Sequence, residues 1–130
     1  MVKKEFTFRG KNLAELQALS IEEFALLCNA RSRRTLLKGN YDKHILDKVT
    51  KAKADPKAKP IRTHNRDLII IPTMVGVRFA VHRGNTFELI DIDERMVGHY
   101  IGEFIFTRKR LQHGKAGIGA TKSSTAITSR

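Results

Sequence analysis

The sequence has little of what secreted, membrane and zinc proteins depend on. It contains one cysteine, Cys28, and no tryptophan. A single thiol can form no internal disulfide and is too few for a structural zinc site, so a reducing compartment is expected. Apolar runs such as Leu68–Ile71 are far shorter than the ~18 residues of a membrane-spanning helix. Charges at Glu5, Arg9 and Lys11 interrupt any signal-peptide core, so we expect a protein that stays in the compartment where it is made.

Acidic residues are also scarce relative to basic ones. The 130 residues include 25 Lys and Arg against 13 Asp and Glu, a formal charge of +12. Residues 31–66 contain 12 basic and 3 acidic side chains, and residues 104–130 contain 6 basic and none acidic. The segment between them is net acidic. A mildly acidic body with basic flanks is typical of proteins that bind a polyanion, either nucleic acid or an anionic membrane surface.

No pattern of a catalytic, cofactor or metal site is visible. A glycine-rich stretch precedes Lys122, but Thr121 and Ala116 stand where a phosphate-binding loop needs glycine. Asp93 and Glu94 are explained by the preference for negative charge at a helix N-terminus. No two histidines have the close spacing that favours a shared metal ion. The histidines are His44, His64, His82, His99 and His113. We therefore expect no enzymatic activity, no cofactor and no bound metal.

Helices are predicted in the first half of the chain. Ser20 and Glu23 have the spacing of a capping box, so a helix is expected to begin there. Cys28 lies on the apolar stripe of this helix and should pack in the core. Apolar residues at helical spacing indicate a short helix before it and another after it. These residues are Leu13, Leu16 and Leu19, then Tyr41, Ile45, Val49 and Ala52. Residues 51–59 contain four lysines and no apolar side chain larger than proline, and they are predicted to form a solvated connector.

From Asp67 onward the pattern favours strands. Residues 68–71 are a short β-branched run closed by Pro72, and residues 77–82 alternate between apolar and polar side chains. Residues 83–86 indicate a hairpin turn into a strand over 87–92. Asp93 is then a candidate N-cap for a short helical turn. This order predicts an α+β fold, in which a small antiparallel three-stranded sheet is flanked by helices.

Three regions are expected along the chain. Residues 1–35 are predicted to form an N-terminal helical extension, residues 36–107 a globular RNA-binding body, and residues 108–130 a basic tail. The tail is rich in glycine, serine and threonine and has no apolar core, so it should be disordered when free.

Cationic and hydrogen-bonding side chains cluster in ways that favour RNA. A basic group follows the capped helix, and a phosphate partner would relieve the repulsion among its charges. In residues 57–66, arginine can hold phosphate by paired hydrogen bonds, while Thr, His and Asn can reach ribose hydroxyls. His82 and His99 lie near glycines that leave room for close approach. The candidate RNA-binding residues are Arg33, Arg34, Lys38, Lys59, Arg62, Thr63, His64, Arg66, His82, His99, Arg108, Lys109, Arg110, His113, Lys115 and Lys122.

Several motifs together are similar to one known family. They are RRTLLKG at 33–39, PIRTHNRD at 60–67, IIIP at 69–72, MVG at 74–76, VHRG at 81–84, MVGHYIGEF at 96–104 and HGKAGIGATKSS at 113–124. The combination resembles family nineteen of the small-subunit ribosomal proteins in the universal nomenclature. The additional N-terminal helix and the downstream tail are similar to its archaeal and eukaryotic cytosolic branch.

The resemblance implies a place in the ribosome. It implies an α+β protein in the head of the cytoplasmic small subunit, bound to ribosomal RNA beside the family-thirteen protein. The tail would reach toward the decoding region and transfer RNA, and no catalysis is implied. Two other classes fit the charge pattern alone: a free RNA-binding or RNA-chaperone module, and a basic protein on an anionic membrane. The second should show a basic amphipathic helix with large apolar anchors, which the lysine-rich residues 43–59 offer only weakly.

Overall fold

Helices occupy the first half of the chain and a small sheet the second. The computed structural model describes residues 6–39, 41–55 and 58–110. The α-helices of this part are α1 (Leu13–Ala18), α2 (Ile21–Leu27), α3 (Ala30–Leu37) and α4 (Lys43–Ala54). The strands are β1 (Ile61–Thr63), β2 (Arg78–His82) and β3 (Phe87–Asp91), and 3-10 helices cover Pro72–Met74, Glu94–Met96 and Ile101–Phe104. None of the helices described is long and apolar enough to cross a membrane.

Side-chain caps fix where the predicted helices begin. The Glu23 N–H donates to Ser20 Oγ at 3.3 Å and the Ser20 N–H donates to Glu23 Oε2 at 2.9 Å, which confirms the predicted capping box of α2. The Asp42 carboxylate accepts from the backbone of His44 and Ile45 at the start of α4. Asp93 accepts from the Glu94 N–H at 2.8 Å, as expected for an N-cap. Helix α3 was not predicted, and it carries the basic group that follows α2.

The fold is α+β, as predicted, but the sheet is mixed rather than wholly antiparallel. Strand β2 lies in the middle, antiparallel to β3 and parallel to β1. The β1 strand comes from the basic segment, whereas the predicted strand at 68–71 pairs outside this sheet. There, Ile69 forms an isolated bridge with Tyr100, and the Ile70 N–H donates to the His99 carbonyl at 2.9 Å. All four side chains of the run at 68–71 are buried, so this extended segment lies in the centre of the core.

One core joins the N-terminal helices to the sheet. Its fully buried side chains include Phe24 of α2, Val49 of α4, Phe79 of β2, and Ile70 and Ile101 from the segments between and after the strands. Burying apolar surface from all these elements together is what fixes the helices against one face of the sheet. Cys28 is 5% exposed, as predicted for a core residue. Its burial raises the pKa of the thiol.

Two glycines permit close approach of neighbouring chain segments. Gly98 has φ +85°, and a Cβ there would lie 3.1 Å from the Phe8 ring. At Gly102 a Cβ would lie only 2.7 Å from the Arg66 carbonyl oxygen. The Gly102 N–H donates to that same oxygen at 2.9 Å. Gly102 therefore allows the last 3-10 helix to pack closely against the chain segment between β1 and the buried run at 68–71.

Candidate nucleic-acid interface

The sheet has one face in the core and one face outside. Since side chains alternate along a strand, the buried Ile61, Thr63, Phe79 and Val81 define the core side. The register places Arg62 beside Ala80, and His82 beside Phe87. We call the opposite side the outer sheet face. Its side chains are Arg62, His64, Arg78, Ala80, His82, Phe87, Leu89 and Asp91.

Three aromatic rings and one guanidinium meet on this face. The His64 and His82 rings lie 4.5 Å apart between centroids, and each lies about edge-on to Phe87, at 5.0 and 5.1 Å. The Arg62 guanidinium carbon lies 4.2 Å from the centre of the Phe87 ring, a cation–π geometry. A hydrogen bond also fixes the orientation of the His82 ring, because its Nδ1 accepts from the Gly84 N–H at 3.2 Å. We call these four residues the ring cluster.

The charges of the outer face are unevenly neutralised. Arg78 binds Asp91 through two hydrogen bonds, from Nε at 2.6 Å and from Nη2 at 3.1 Å. That hydrogen bonding lowers the pKa of Asp91 and keeps the carboxylate ionised. By contrast, Arg62 is exposed and forms no ion pair with any residue the structure describes. The positive charge left for an external anion therefore lies on the ring cluster.

Two predicted RNA-binding residues of the same segment are used inside the fold. Arg66 is partly buried, and its guanidinium donates to the carbonyls of His82 at 2.9 Å, Gly102 at 2.8 Å and Ile105 at 2.7 Å. Thr63 is 6% exposed, and its hydroxyl accepts from the Asn65 N–H at 3.0 Å. Both side chains, predicted to contact RNA, therefore also make hydrogen bonds within the fold. Their sequence neighbours Arg62 and His64 are presented, because alternation along β1 sends them to the opposite side.

One cation of the basic group on α3 and its C-cap also has a role in the fold. Arg33 Nη2 donates to the carbonyls of Leu26 at 3.3 Å and Cys28 at 3.2 Å, which satisfies acceptors at the C-terminal end of α2. Arg33, Arg34 and Lys38 are all exposed. The three predicted cations are therefore presented to solvent, and Arg33 in addition links α2 to α3.

His99 lies outside the ring cluster. Its Nδ1 is 2.9 Å from Glu103 Oε2, and its ring meets Phe104 edge-on at 5.8 Å. The pKa of Glu103 is lowered, mainly by the hydrogen bond it accepts from the Tyr100 N–H and further by His99. Glu103 caps the last 3-10 helix through the Tyr100 N–H, and the His99 imidazole bound to it stays at the surface.

The remaining predicted residues are spread over the surface or lie beyond it. Lys59 and Arg108–Arg110 are exposed. His113, Lys115 and Lys122 lie outside the described residues. Within the described part, no three His, Cys, Asp or Glu side chains form a metal-binding group. Phe87 was missed as a site residue because it was assigned only to a strand, although its pairing with His82 across the hairpin would have indicated a shared face.

Comparison with known proteins decides the family. A sequence profile described as Ribosomal protein S19 matches residues 34–113, well over half of the chain. The chain belongs to the ribosomal protein S19 family. It is 46% identical over 126 residues to the small ribosomal subunit protein uS19 of two strains of Halobacterium salinarum, with 95% of this chain and 90% of the relative covered. It is 45% identical to uS19 of Halorubrum lacusprofundi, with the same coverage.

Membership of the S19 family confirms the resemblance predicted from the sequence, and the similarity to archaeal relatives confirms the predicted branch. The family consists of structural, non-enzymatic constituents of the small ribosomal subunit, in the ribosomes of the cytoplasm. The profile match begins at residue 34, whereas the archaeal relatives align over nearly the full chain. Helices α1 and α2 therefore lie outside the profile match but within the region that aligns with the archaeal S19 proteins.

Proposed function

We propose that this S19 protein is held in the head of the small ribosomal subunit by phosphate and ribose contacts with ribosomal RNA. The observation that carries the proposal is Arg62, an exposed cation on the edge strand β1 of the outer sheet face, without an ion-pair partner among the described residues. A guanidinium in this position can bind phosphate by paired hydrogen bonds. RNA would be recognised by its shape and backbone rather than by a base sequence.

Exposure supports a smaller set of contacts than the sequence alone offers. Arg34, Lys38, Lys59 and the residues at 108–110 are exposed and join Arg62, His64, His82 and His99 as RNA contacts. His113, Lys115 and Lys122 are assigned to RNA on their sequence alone. Arg33 is exposed too and remains a proposed RNA contact, although its guanidinium also donates to backbone carbonyls. Thr63 and Arg66 are the least accessible of the predicted residues, because their polar groups bind backbone atoms inside the fold. Cations pre-positioned on strands and helices bind RNA with little further ordering.

The proposal assigns a different role to each of three regions of the chain. Residues 1–35 are the helical extension, residues 36–107 the RNA-binding body, and residues 108–130 a tail. The tail lies near the decoding region and transfer RNA, and the family-thirteen protein is the neighbour in the head. Supporting the tail assignment, residues 104–130 carry 6 basic and no acidic side chains.

Incorporation into ribosomes tests this function with a matched control. Arg62→Ala and Arg95→Ala each remove one exposed cation, but Arg95 lies on the 3-10 helix at 94–96, away from β1. Tagged full-length variants are expressed in an archaeal host, and small subunits are separated by sedimentation. Arg62→Ala combined with Lys38→Ala should reduce the tagged fraction in small subunits several-fold, while Arg95→Ala should leave it unchanged.

Salt dependence of binding to purified ribosomal RNA gives the second measurement. If about six cations meet phosphates, affinity should fall by roughly a thousandfold between 50 and 200 mM salt. A nearly flat dependence would contradict phosphate contacts. Wild-type protein that sediments free of small subunits would instead favour a free RNA-binding module.

A further inference from the structure

The ring cluster leaves aromatic side chains exposed to solvent, outside the hydrophobic core. The core lies on the other side of the sheet, around Phe79 and Val81. On the outer face, His64 is exposed, Phe87 is partly exposed and Leu89 is 61% exposed. Single exposed apolar residues are ordinary on protein surfaces. A contiguous group of exposed apolar and aromatic side chains indicates a binding surface.

Charge and shape together indicate which ligand fits. Arg78 neutralises Asp91, so Arg62 is the guanidinium of this face without an ion-pair partner among the described residues. Its guanidinium lies over Phe87 with its side chain exposed to solvent. A flat cation supported by a ring offers a stacking plane to another flat group and a positive charge to an anion beside that group. A nucleotide carries both.

We propose that the ring cluster stacks one unpaired nucleobase of the bound RNA. The base stacks on the outer side of the Arg62 guanidinium, whose other side lies over the Phe87 ring. The His64 ring is nearly perpendicular to Phe87 and therefore borders the edge of the base. Bases within an RNA helix are already stacked, so the ligand is a nucleotide from a loop, bulge or end. This inference rests on the RNA-binding function proposed above and adds the kind of nucleotide that is bound.

The charge-conserving change Arg62→Lys separates stacking from phosphate binding. Lysine keeps the positive charge but has no plane to stack on. The probes are a single-stranded RNA oligonucleotide that contains one 2-aminopurine, and the fully paired duplex of the same sequence. The expected result is that wild-type full-length protein quenches 2-aminopurine and that Arg62→Lys weakens single-strand binding about five- to a hundredfold. Its binding to the duplex should change less than about twofold.

Matched variants keep the test interpretable. Arg95→Lys makes the same chemical change at an exposed site away from the cluster and should behave as wild type in both assays. Phe87→Leu keeps an apolar side chain on β3 but removes the ring beneath Arg62, and it should lose quenching as well. Circular dichroism checks that each variant is folded. If Phe87→Leu is unfolded, Arg62→Lys alone decides.

Three results distinguish failure of this inference from failure of the proposed function. Equal quenching and equal single-strand affinity for wild type and Arg62→Lys would overturn nucleobase stacking. Wild-type binding that is as tight for duplex as for single strand, without quenching, would overturn it too and would leave phosphate binding intact. No binding of either RNA at 50 mM salt would overturn the RNA-binding function itself.

Discussion

Arg66 should contribute strongly to the stability of the fold, whereas Arg62, four residues earlier, should not. The Arg66 guanidinium binds three carbonyls from two distant parts of the chain: His82 at the end of β2, and Gly102 and Ile105 around the last 3-10 helix. One side chain therefore ties the segment after β1 to the sheet and to the C-terminal end of the described body. Arg62 lies on the opposite side of β1, where its guanidinium packs over the Phe87 ring.

The expected cost of Arg66→Ala follows from these bonds. A hydrogen bond from a charged donor contributes about 1.5–3 kcal/mol, so three would give an upper limit of about 4.5–9 kcal/mol. The site is only partly buried, and water can reach some of the released carbonyls, so we expect about 3–5 kcal/mol. Domains of this kind have a free energy of unfolding of about 5–15 kcal/mol. The loss should lower Tm by about 10–25 °C at this chain length.

Urea and thermal unfolding of four proteins, followed by circular dichroism, measure the effect. They are wild type, Arg66→Ala, Arg66→Lys and Arg62→Ala. Lysine keeps the charge but its single ammonium cannot span three carbonyls, so Arg66→Lys should recover less than half of the loss. Arg62→Ala should stay within about 1 kcal/mol of wild type, since an exposed cation–π contact contributes about that much. The reasoning is refuted if Arg66→Ala unfolds with the same midpoint as wild type.

Two further changes test neighbouring parts of the same region. Gly102→Ala places a Cβ 2.7 Å from the Arg66 carbonyl oxygen, a backbone atom that cannot turn aside, so the urea midpoint should report a loss of about 1–3 kcal/mol; an unchanged midpoint would mean that the two segments separate freely. Glu103 has a lowered pKa in the folded protein, so its contribution to stability is complete above its ordinary pKa of 4.5 and is lost as the pH falls through the lower folded value. Tm measured against pH should therefore fall less steeply below pH 4.5 in Glu103→Gln than in wild type, and identical slopes would show that the Tyr100 and His99 contacts do not stabilise the ionised form.

Elements with local signals were predictable, and α3 shows why others were not. Helix α2 has a capping box, and α4 has a capping aspartate and an apolar stripe. Helix α3 has no side-chain cap bond from Asn29, and its buried residues are only Ser32 and Leu36. Its helical state depends on packing against α2 and on the bonds from Arg33, which are contacts that no sequence window contains.

The strand error has a similar physical origin. β1 has three residues, too few for an alternating pattern to be recognised. The run at 68–71 has the composition of a strand, and its backbone is indeed paired, but its partners lie near Tyr100 rather than in the sheet. Composition indicates that a segment is extended and buried, whereas the identity of its neighbour is decided by tertiary packing.

For the candidate site, charge singled out one segment of the sequence but could not distinguish the structural roles of its side chains. Charge alone cannot distinguish Arg62 from Arg66, since both are arginines in one basic stretch. The difference arises because β1 turns Arg62 to the outer face, and the chain then bends so that Arg66 reaches three carbonyls. Phe87 gains its role only through pairing with β2, which brings it to His82.

This division within one segment determines how much affinity each cation can supply. Ile61 and Thr63 are buried, and Arg66 fixes the end of the segment, so the backbone at Arg62 and His64 is already ordered before RNA arrives. Ordering a backbone residue costs about 1–2 kcal/mol, and for this segment folding has already met that cost. The tail at 108–130 is predicted from its composition to be disordered when free, and on that prediction it must offset the same cost from its own contacts. Per cation, the body should therefore contribute more net affinity than the tail, and the tail's charges should act mainly on the rate of association.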